Sequence, residues 1–508
     1  MPSWASQAVS NLTWALATIG LQPGPPYLAA ASRRMLASLG SWPPQHLANT
    51  LWALATLGHV DMGFMQQVAD HLVQRIDADP DFLPSFKPQH VSNILWAYGT
   101  LECPCHELAS RLAGGLQSRV EEFSSQELSN SIWALAKCAF YDCAFMDAFA
   151  AHTLLPHRLA GLQPQHMSNI AWSFSRVTHS HPDLMKALAE HATRAIQALT
   201  PQHISNMVNT FAILDLHPST FLAAAKQQIL TRCGLTAASE AGGSPAKQQQ
   251  GGKGSPVQGQ QGGAKGRGGA GGGRAGGGGN RPQRSFNAQQ VTNLLWGLSL
   301  LGELELPLWR ALQAQLQALG VTTADLPEEA LTQVFQAYLL LLAECPGEAD
   351  RGQLEGGALP GLLAEAEACW RATACQPIVS AMHREVSLTL DSLGVRHTNE
   401  QMTADGLFSV DIVLEALPPD LMASLGLDVG APLPKMLGIE VDGPSHFTAN
   451  LGTPLGVTLA RRRCLAARGW RLASLHHSDW GVARTVQQRV ALVKGLLQEV
   501  TRNLAVSV

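Results

Sequence analysis

Two carboxylates stand two residues apart in the apolar segment LGIEVDGPSHF, which covers residues 437–447. Side chains two residues apart in a β-strand point to the same face of the sheet, so Glu440 and Asp442 would lie side by side. Asp411 stands at the centre of a second apolar segment, GLFSVDIVLEAL, at residues 406–417. Because Mg²⁺ and Mn²⁺ prefer carboxylate oxygens, these three acids are candidate ligands for either ion.

A divalent ion held there could polarise a phosphate and activate a water molecule, with His446 or Glu385 as the proton carrier. The three acids and His446 are therefore candidate catalytic residues. The alternative is structural: the carboxylates cap the Gly443–Pro444 turn and pair with the arginines that follow. Three adjacent arginines on a helix cannot all face one partner, so at least one would be free for phosphate. These candidate phosphate contacts are Arg461, Arg462 and Arg463.

The region from about residue 375 to residue 508 alternates between predicted helices and predicted strands. The two acid-bearing segments are predicted strands, and residues 470–480 form a third strand that runs into a loop. Helices are predicted at 378–394, 453–469 and 483–501. Strands separated by helices indicate a small α/β domain, which would place the acids on its sheet.

A repeat dominates the first two-thirds of the chain. Neighbouring copies among the first six, such as PQHVSNILWAYGT, are 37 to 44 residues apart. Seven copies share an asparagine, and six of them have a tryptophan three residues after it. The sixth copy has Asn209 at the tryptophan position, and a weaker eighth copy has Phe335 there. Self-similarity at this period is typical of solenoids. The shared asparagines are Asn11, Asn49, Asn93, Asn130, Asn169, Asn206 and Asn293.

Each copy begins in the manner of a helix. Proline often occupies the first turn, and Ser124, Thr200 and Asn287 are predicted N-caps. A second amphipathic segment follows each first helix, for example at residues 181–199. Repeating helix pairs predict an α-solenoid built from units of about 38 residues.

A polar stripe recurs along the predicted first helices. In six copies histidine, glutamate or glutamine precedes the shared asparagine by three residues, so both lie on one side of the helix. Such a stripe could read single-stranded RNA, as other helical-repeat proteins do. The asparagines could instead bridge neighbouring repeats, and the tryptophans could be either repeat core or base-stacking platforms. The candidate RNA contacts are His46, Asn49, His90, Asn93, Glu127, Asn130, His166, Asn169, His203, Asn206, Gln290 and Asn293.

Composition and charge restrict the function classes. The net charge of −4 creates no general attraction to nucleic acid, so any basic surface must be local. No apolar run reaches the roughly 18 residues that span a bilayer. Residues 236–285 form a Gly/Gln-rich segment that is too polar to build a core. From Ala241 onwards this segment contains seven lysines and arginines and no aspartate or glutamate. This segment is predicted to be a disordered linker, or else a cationic arm that adds phosphate contacts.

Two family resemblances follow from these motifs. The proline-led Asn-x-x-Trp helices, at about residues 1–235 and 286–345, resemble the octotricopeptide repeat proteins of green algal organelles. The acid-bearing strand, the basic helix and the final GWRLASLHHSDW resemble the RAP domain over residues 437–497. That domain occurs in the Fas-activated serine/threonine kinase family and is similar to restriction-endonuclease-like folds. Asp442 stands where those nucleases carry a lysine, so the resemblance implies RNA binding more strongly than hydrolysis.

The resemblances imply a mostly α protein, with repeats at 1–235 and 286–370 and an α/β domain at 375–508. They imply an organellar factor that binds single-stranded RNA and governs transcript stability, processing or translation, together with other RNA-processing proteins. Two alternatives remain: an RNA endonuclease that uses Mg²⁺ or Mn²⁺, and a protein-binding scaffold. The expected location is the chloroplast or the mitochondrion, although no presequence is visible. His476 and His477, which follow a predicted strand, could also contact RNA.

Overall fold

The structure is a computed structural model that describes residues 4–234, 285–344, 361–374, 379–429 and 432–502, with residues 352, 354 and 355 between them. The predicted fold class is confirmed: these residues are mostly helical, and a small four-stranded sheet lies towards the C-terminus. The predicted linker at 236–285 lies outside the described residues except for Ser285.

Helices occur in pairs whose first members stack directly on one another along the chain. This stacking continues from α12 to α14, across the undescribed segment. The first helices are α1 (Ser6–Ile19), α3 (Pro44–Thr56), α5 (Pro88–Thr100), α7 (Ser125–Lys137), α10 (Pro164–Arg176), α12 (Pro201–Ile213), α14 (Ala288–Leu300) and α16 (Glu328–Glu344), and α17 (Leu362–Ala374) packs on the last of them.

The second helices form a parallel layer in which each one contacts the next. Together the two layers bury one continuous apolar core, as expected for a solenoid. Among the described residues, no helix combines the length and apolarity needed to cross a bilayer. The second-layer helices are α2 (Pro25–Leu36), α4 (Met62–Ala78), α6 (His106–Ser118), α8 (Cys143–Thr153) with the short α9 (Pro156–Ala160), α11 (Pro182–Arg194), α13 (Ser219–Arg232) and α15 (Leu306–Ala318).

Seven first helices end in the same turn. The first residue after α1, and the second residue after each of the other six helices, adopts a left-handed conformation with φ between 50° and 69°. The next N–H donates to the carbonyl five residues earlier. This is the Schellman motif, which directs every second helix away at a similar angle. Repetition of one turn therefore produces a regular stack. The left-handed residues are Gly20, Gly58, Glu102, Ala139, Thr178, Asp215 and Gly302.

The C-terminal sheet has the strand order β1-β2-β3-β4, with β3 and β4 parallel and the other neighbours antiparallel. Sequence analysis predicted β2, β3 and β4 but missed β1. The strands are β1 (Arg396–Met402), β2 (Ser409–Ala416), β3 (Leu437–Asp442) and β4 (Arg471–His476), and the helices are α18 (Ala381–Ser392), α19 (Pro419–Ser424), α20 (Gly456–Ala467), α21 (His477–Val482) and α22 (Val486–Thr501).

Helix α20 joins the sheet to the solenoid by packing against α12, α14 and α16. Gly456, its first residue, lies so close to the end of α12 that an added Cβ atom would overlap the Ala212 carbonyl oxygen. Arg463 donates to the carbonyl oxygens of Ser299, at 2.9 Å, and Leu300, at 2.6 Å. Helix geometry leaves the last carbonyls of α14 without helical donors, so this guanidinium caps α14.

A second contact joins the loop after β3 to the end of α10. Asn450 accepts a hydrogen bond from Ser180 N at 2.9 Å and donates one to Ser180 O at 2.8 Å. The neighbouring Ala449 N donates to Thr178 O at 2.8 Å. The C-terminal domain is thus fixed across the C-terminal ends of four successive first helices.

Candidate nucleic-acid interface and acidic cluster

The first helices from α3 to α14 each leave a narrow stripe accessible to solvent. Most of α5 is buried, and its accessible positions are Gln89, Asn93 and Thr100, with Trp96 at 9% exposure between them. The same positions are exposed or half-buried along α3, α7 and α10. Because the first helices stack side by side, these positions form a row of glutamine, asparagine and tryptophan across the solenoid, which we call the amide row.

The asparagine amides of the row are half-buried but have no hydrogen-bond partner among the described residues. The exception is Asn206, whose Nδ2 donates to Ser168 Oγ of the preceding repeat at 3.2 Å. The structural alternative, in which each asparagine bridges two repeats, therefore holds for one member alone. The amides that keep both donor and acceptor capacity are those of Asn49, Asn93, Asn130, Asn169 and Asn293.

Apart from Trp96, which is buried in the core, the tryptophans of the row lie at the edge of the core. Trp14 is 44% exposed, and Trp52, Trp133, Trp172 and Trp296 are half-buried. Neighbouring indoles contact each other, with ring centroids 6.0 Å apart for Trp52 and Trp96 and 6.4 Å apart for Trp133 and Trp172. The row therefore presents aromatic surface beside its amides.

The residue three positions before each asparagine has a different role from the one predicted. In five repeats its side chain accepts a hydrogen bond from the backbone N–H that precedes the helix, for example from Lys87 N to His90 Nδ1 at 3.2 Å. His46 instead contacts Ser6 Oγ at 3.1 Å. These side chains close capping boxes, and the predicted N-caps Ser124, Thr200 and Asn287 are confirmed. The capping side chains are His90, Glu127, His166, His203 and Gln290.

Burial keeps the capping histidines neutral. It lowers the pKa of His90 and of His166, and with Arg232 nearby it lowers the pKa of His203 to about 4. A neutral imidazole retains the Nδ1 lone pair that the cap requires.

Asp442 lies on the same sheet face as Glu440 but is fully engaged by protein groups. One carboxylate oxygen contacts His446 Nδ1 at 2.7 Å, and the other accepts hydrogen bonds from Arg462, at 2.7 Å, and from Ser474. Burial alone would raise the pKa of Asp442, but these three partners outweigh it and lower the pKa to about 2. The hydrogen bond between His446 and Asp442 also raises the pKa of His446. This pairing corresponds to the structural alternative for Asp442.

Glu440 and Asp411 have fewer partners. Glu440 accepts from Arg461 Nε at 3.0 Å through one oxygen, while its other oxygen is buried without a hydrogen-bond partner. Asp411 accepts from Val441 N at 2.7 Å. Burial raises the pKa of both carboxyls. Arg461 partly opposes this shift for Glu440, and the Val441 N–H partly opposes it for Asp411. The negative charges of neighbouring carboxylates raise both pKa values further.

All three candidate arginines have protein partners, so the expectation that one would be free for phosphate is wrong. Arg461 pairs with Glu440 and donates to Ser409 O, and Arg462 pairs with Asp442. Arg463 pairs with Glu344 at 3.2 Å in addition to capping α14. Successive arginines reach three different partners because they point in different directions around α20.

Glu385 does not reach the acids. Its carboxylate accepts from Trp480 Nε1 at 2.9 Å and pairs with Arg489 at 3.0 Å, so it holds α18 against α21 and α22. Glu385 is therefore not a proton carrier for the predicted triad.

His476 and His477 stack on each other beside Phe447. The half-buried His476 ring lies with its centroid 3.8 Å from the Phe447 ring centroid.

The predicted metal triad does not fit a metal ion as a set, because both oxygens of Asp442 are already bonded. Asp411 instead converges with two residues that the sequence analysis missed, His383 on α18 and Glu400 on β1. His383 lies within the predicted helix at 378–394, whereas Glu400 lies between that helix and the predicted strand at 406–417. Their convergence was not predictable without the unrecognised strand that carries Glu400.

Most of the acid-bearing β3, the basic α20 and β4 lie within residues 439–496, which match the family model of the RAP domain. The chain contains a RAP domain. A rice (Oryza sativa subsp. japonica) protein described as "RAP domain-containing protein, chloroplastic" is 28% identical over 398 residues, covering 73% of this chain and 52% of the relative. The chain thus spans about half the length of that curated relative. The relationship to octotricopeptide repeat proteins stays a prediction.

Proposed function

We propose that this protein binds single-stranded RNA along the amide row and acts on transcripts of the chloroplast, with the RAP domain beside the row. The observation that carries the proposal is the set of asparagine amides, repeated at one position of successive helices, that have no hydrogen-bond partner in the part of the chain that the structure describes. Amides present a donor and an acceptor to base edges, and indoles offer faces for base stacking.

Three further features support this proposal. The RAP domain resembles a module of RNA-associated proteins, and the rice relative carries the word chloroplastic in its description. Arg176, at the end of α10, is exposed and makes no hydrogen bond or ion pair with described residues, so it is available to a phosphate. The proposal does not extend to RNA cleavage, because the Asp442 carboxylate is occupied by protein partners.

The row is tested by binding to RNA selected from a random single-stranded pool, measured by fluorescence anisotropy. The triple variant Asn93→Ala, Asn130→Ala and Asn169→Ala should weaken binding about 10- to 100-fold, because each lost hydrogen bond contributes about 1 kcal/mol. The same RNA in a duplex should bind more weakly, because its base edges are paired.

The matched control removes three exposed amides from the second helix layer, with Gln74→Ala, Gln117→Ala and Gln227→Ala. This variant should bind as the wild type does. Equal affinity of both triple variants and the wild type would reject the amide row as the RNA site. Preference for a protein partner with no RNA selected would instead favour the scaffold alternative.

A further inference from the structure

Three acids stand opposite one another on neighbouring strands of the RAP-domain sheet. The register that pairs Asn399 with Ile412 and Gln401 with Val410 places Glu400 opposite Asp411, and the β2–β3 register continued by one residue places Asp411 opposite Glu440. Like charges in directly opposed positions destabilise a sheet. This arrangement requires a compensating positive charge.

The protein groups around this row supply less positive charge than the acids require. Arg461 pairs with Glu440 at 3.0 Å, and Glu400 receives a hydrogen bond from the neutral Ser409 hydroxyl at 2.7 Å. The second oxygen of Glu440, in a side chain only 5% exposed, has no hydrogen-bond partner among the described residues and lies in the field of the neighbouring Asp411 carboxylate. A buried carboxylate oxygen without a partner is costly unless a cation approaches it.

The hydrogen bonds of His383 orient its ring towards this charge. The Asn399 amide donates to Ser387 Oγ at 3.0 Å, so its oxygen faces His383 Nε2, at 3.1 Å. An amide oxygen only accepts, which requires Nε2 to carry the proton. In the neutral ring the Nδ1 lone pair then faces Glu400 Oε1 at 3.4 Å. Two electron-rich atoms face each other unless a proton or a metal ion lies between them.

We propose that His383, Glu400 and Asp411 bind a divalent transition-metal ion. The unpaired oxygen of Glu440 would add negative charge beside that ion. One ligand atom from each of the three residues lies within 4.8 Å of the others. Bonds of about 2.0–2.2 Å to a common ion require only a small inward movement of these side chains. The site differs from the predicted triad, since Asp442 takes no part.

The ligand set also selects the type of metal. An imidazole nitrogen with carboxylate oxygens suits Mn²⁺ or Zn²⁺ better than Mg²⁺ or Ca²⁺, which bind oxygen ligands almost exclusively. The Asn399–His383 hydrogen bond is the outer contact that fixes the ring of a metal-binding histidine. A bound ion would tie α18 to β1 and β2.

The full chain, stripped of metal with a chelator, tests the site by Mn²⁺ titration followed by electron paramagnetic resonance, with Zn²⁺ and Mg²⁺ as competitors. The wild type should bind one Mn²⁺ that Zn²⁺ displaces and Mg²⁺ displaces at least 10-fold less effectively. Glu400→Gln and His383→Gln keep the size and hydrogen-bonding capacity of the side chains, and each should weaken this binding at least 10-fold.

Asp428→Asn, which alters an exposed acid of the same domain, is the control and should bind Mn²⁺ as the wild type does. Circular dichroism of both site variants shows whether they remain folded. No bound Mn²⁺ in the folded wild type, with a His383 ring protonated on both nitrogens by NMR, would show that a proton occupies the gap and would overturn the proposal. Unchanged binding in Glu400→Gln would overturn it as well.

Discussion

Two residues three positions apart in the same helix have opposite roles. His90 closes the start of α5 through its Nδ1 atom, whereas the half-buried amide of Asn93 has no hydrogen-bond partner among the described residues. Position within the helix decides between these roles. A residue in the first turn can reach the free backbone N–H groups, and a residue one turn later cannot.

The capping histidines should make the solenoid sensitive to acid. The folded-state pKa of His203 is about 4, below the ordinary histidine value of 6.5, so the unfolded chain binds more protons between these pH values. Stability is retained above pH 6.5 and falls as the pH decreases towards 4. His203→Gln should keep the cap, as Gln290 does in another repeat, and should remove about 1 kcal/mol of this acid-induced loss.

Thermal unfolding followed by circular dichroism at pH 7 and pH 5 measures this effect. The loss of Tm between the two pH values should be smaller in His203→Gln than in the wild type. His157→Gln changes an exposed histidine of α9 and should leave the wild-type pH dependence intact. Identical pH dependence in all three proteins would contradict the capping role.

Residue-scale prediction from the sequence succeeded where the interaction was local. Ser124, Thr200 and Asn287 were predictable N-caps because an N-cap contacts residues only three positions away. The partners of Arg461, Arg462 and Arg463 were not fully predictable. Arg463 reaches Ser299, 164 residues earlier, and no local pattern encodes such a contact.

At the scale of elements, α20 connects the two parts of the molecule. Its first residue is Gly456, and the absence of a side chain there permits contact with the end of α12. Gly456→Ala should therefore weaken docking of the RAP domain and destabilise the protein by about 1–3 kcal/mol, the usual effect of overpacking. Hydrogen exchange should increase in α20 and at the C-terminal ends of α12 and α14.

Gly495→Ala provides the matched control, since this glycine lies within α22 and a Cβ atom there would meet nothing within 4 Å. That substitution should stabilise the protein slightly, because alanine is the better helix former. Unaltered exchange at the α20 interface in Gly456→Ala would contradict the close packing.

Element prediction failed for β1 for a physical reason. Its sequence, RHTNEQM, contains no alternating apolar residues, because β1 is an edge strand whose side chains are mostly exposed or half-buried. Because β1 was not predicted, the sequence did not indicate that Glu400 lies opposite Asp411 on the sheet. The buried strand β3 was predictable because every residue from Leu437 to Asp442 is shielded from solvent, and its sequence is accordingly apolar apart from two paired acids.

At the scale of the whole molecule, the RAP domain and the amide row are neighbours. The row runs along the first helices, and α20 contacts the C-terminal ends of α12 and α14 at Ala212 and Leu300. The RAP domain therefore lies on the C-terminal side of the row in these two repeats.

Photocrosslinking with mass spectrometry tests the central claim most directly. Single-stranded RNA that carries 4-thiouridine is bound to the full chain and irradiated, and the nucleotide adducts are assigned to peptides. The proposal predicts adducts on the stripe of α3, α5, α7 and α10, around Trp52, Trp96, Trp133 and Trp172. Adducts confined to the second-layer helices or to the segment at 236–285, with none on these four helices, would contradict it.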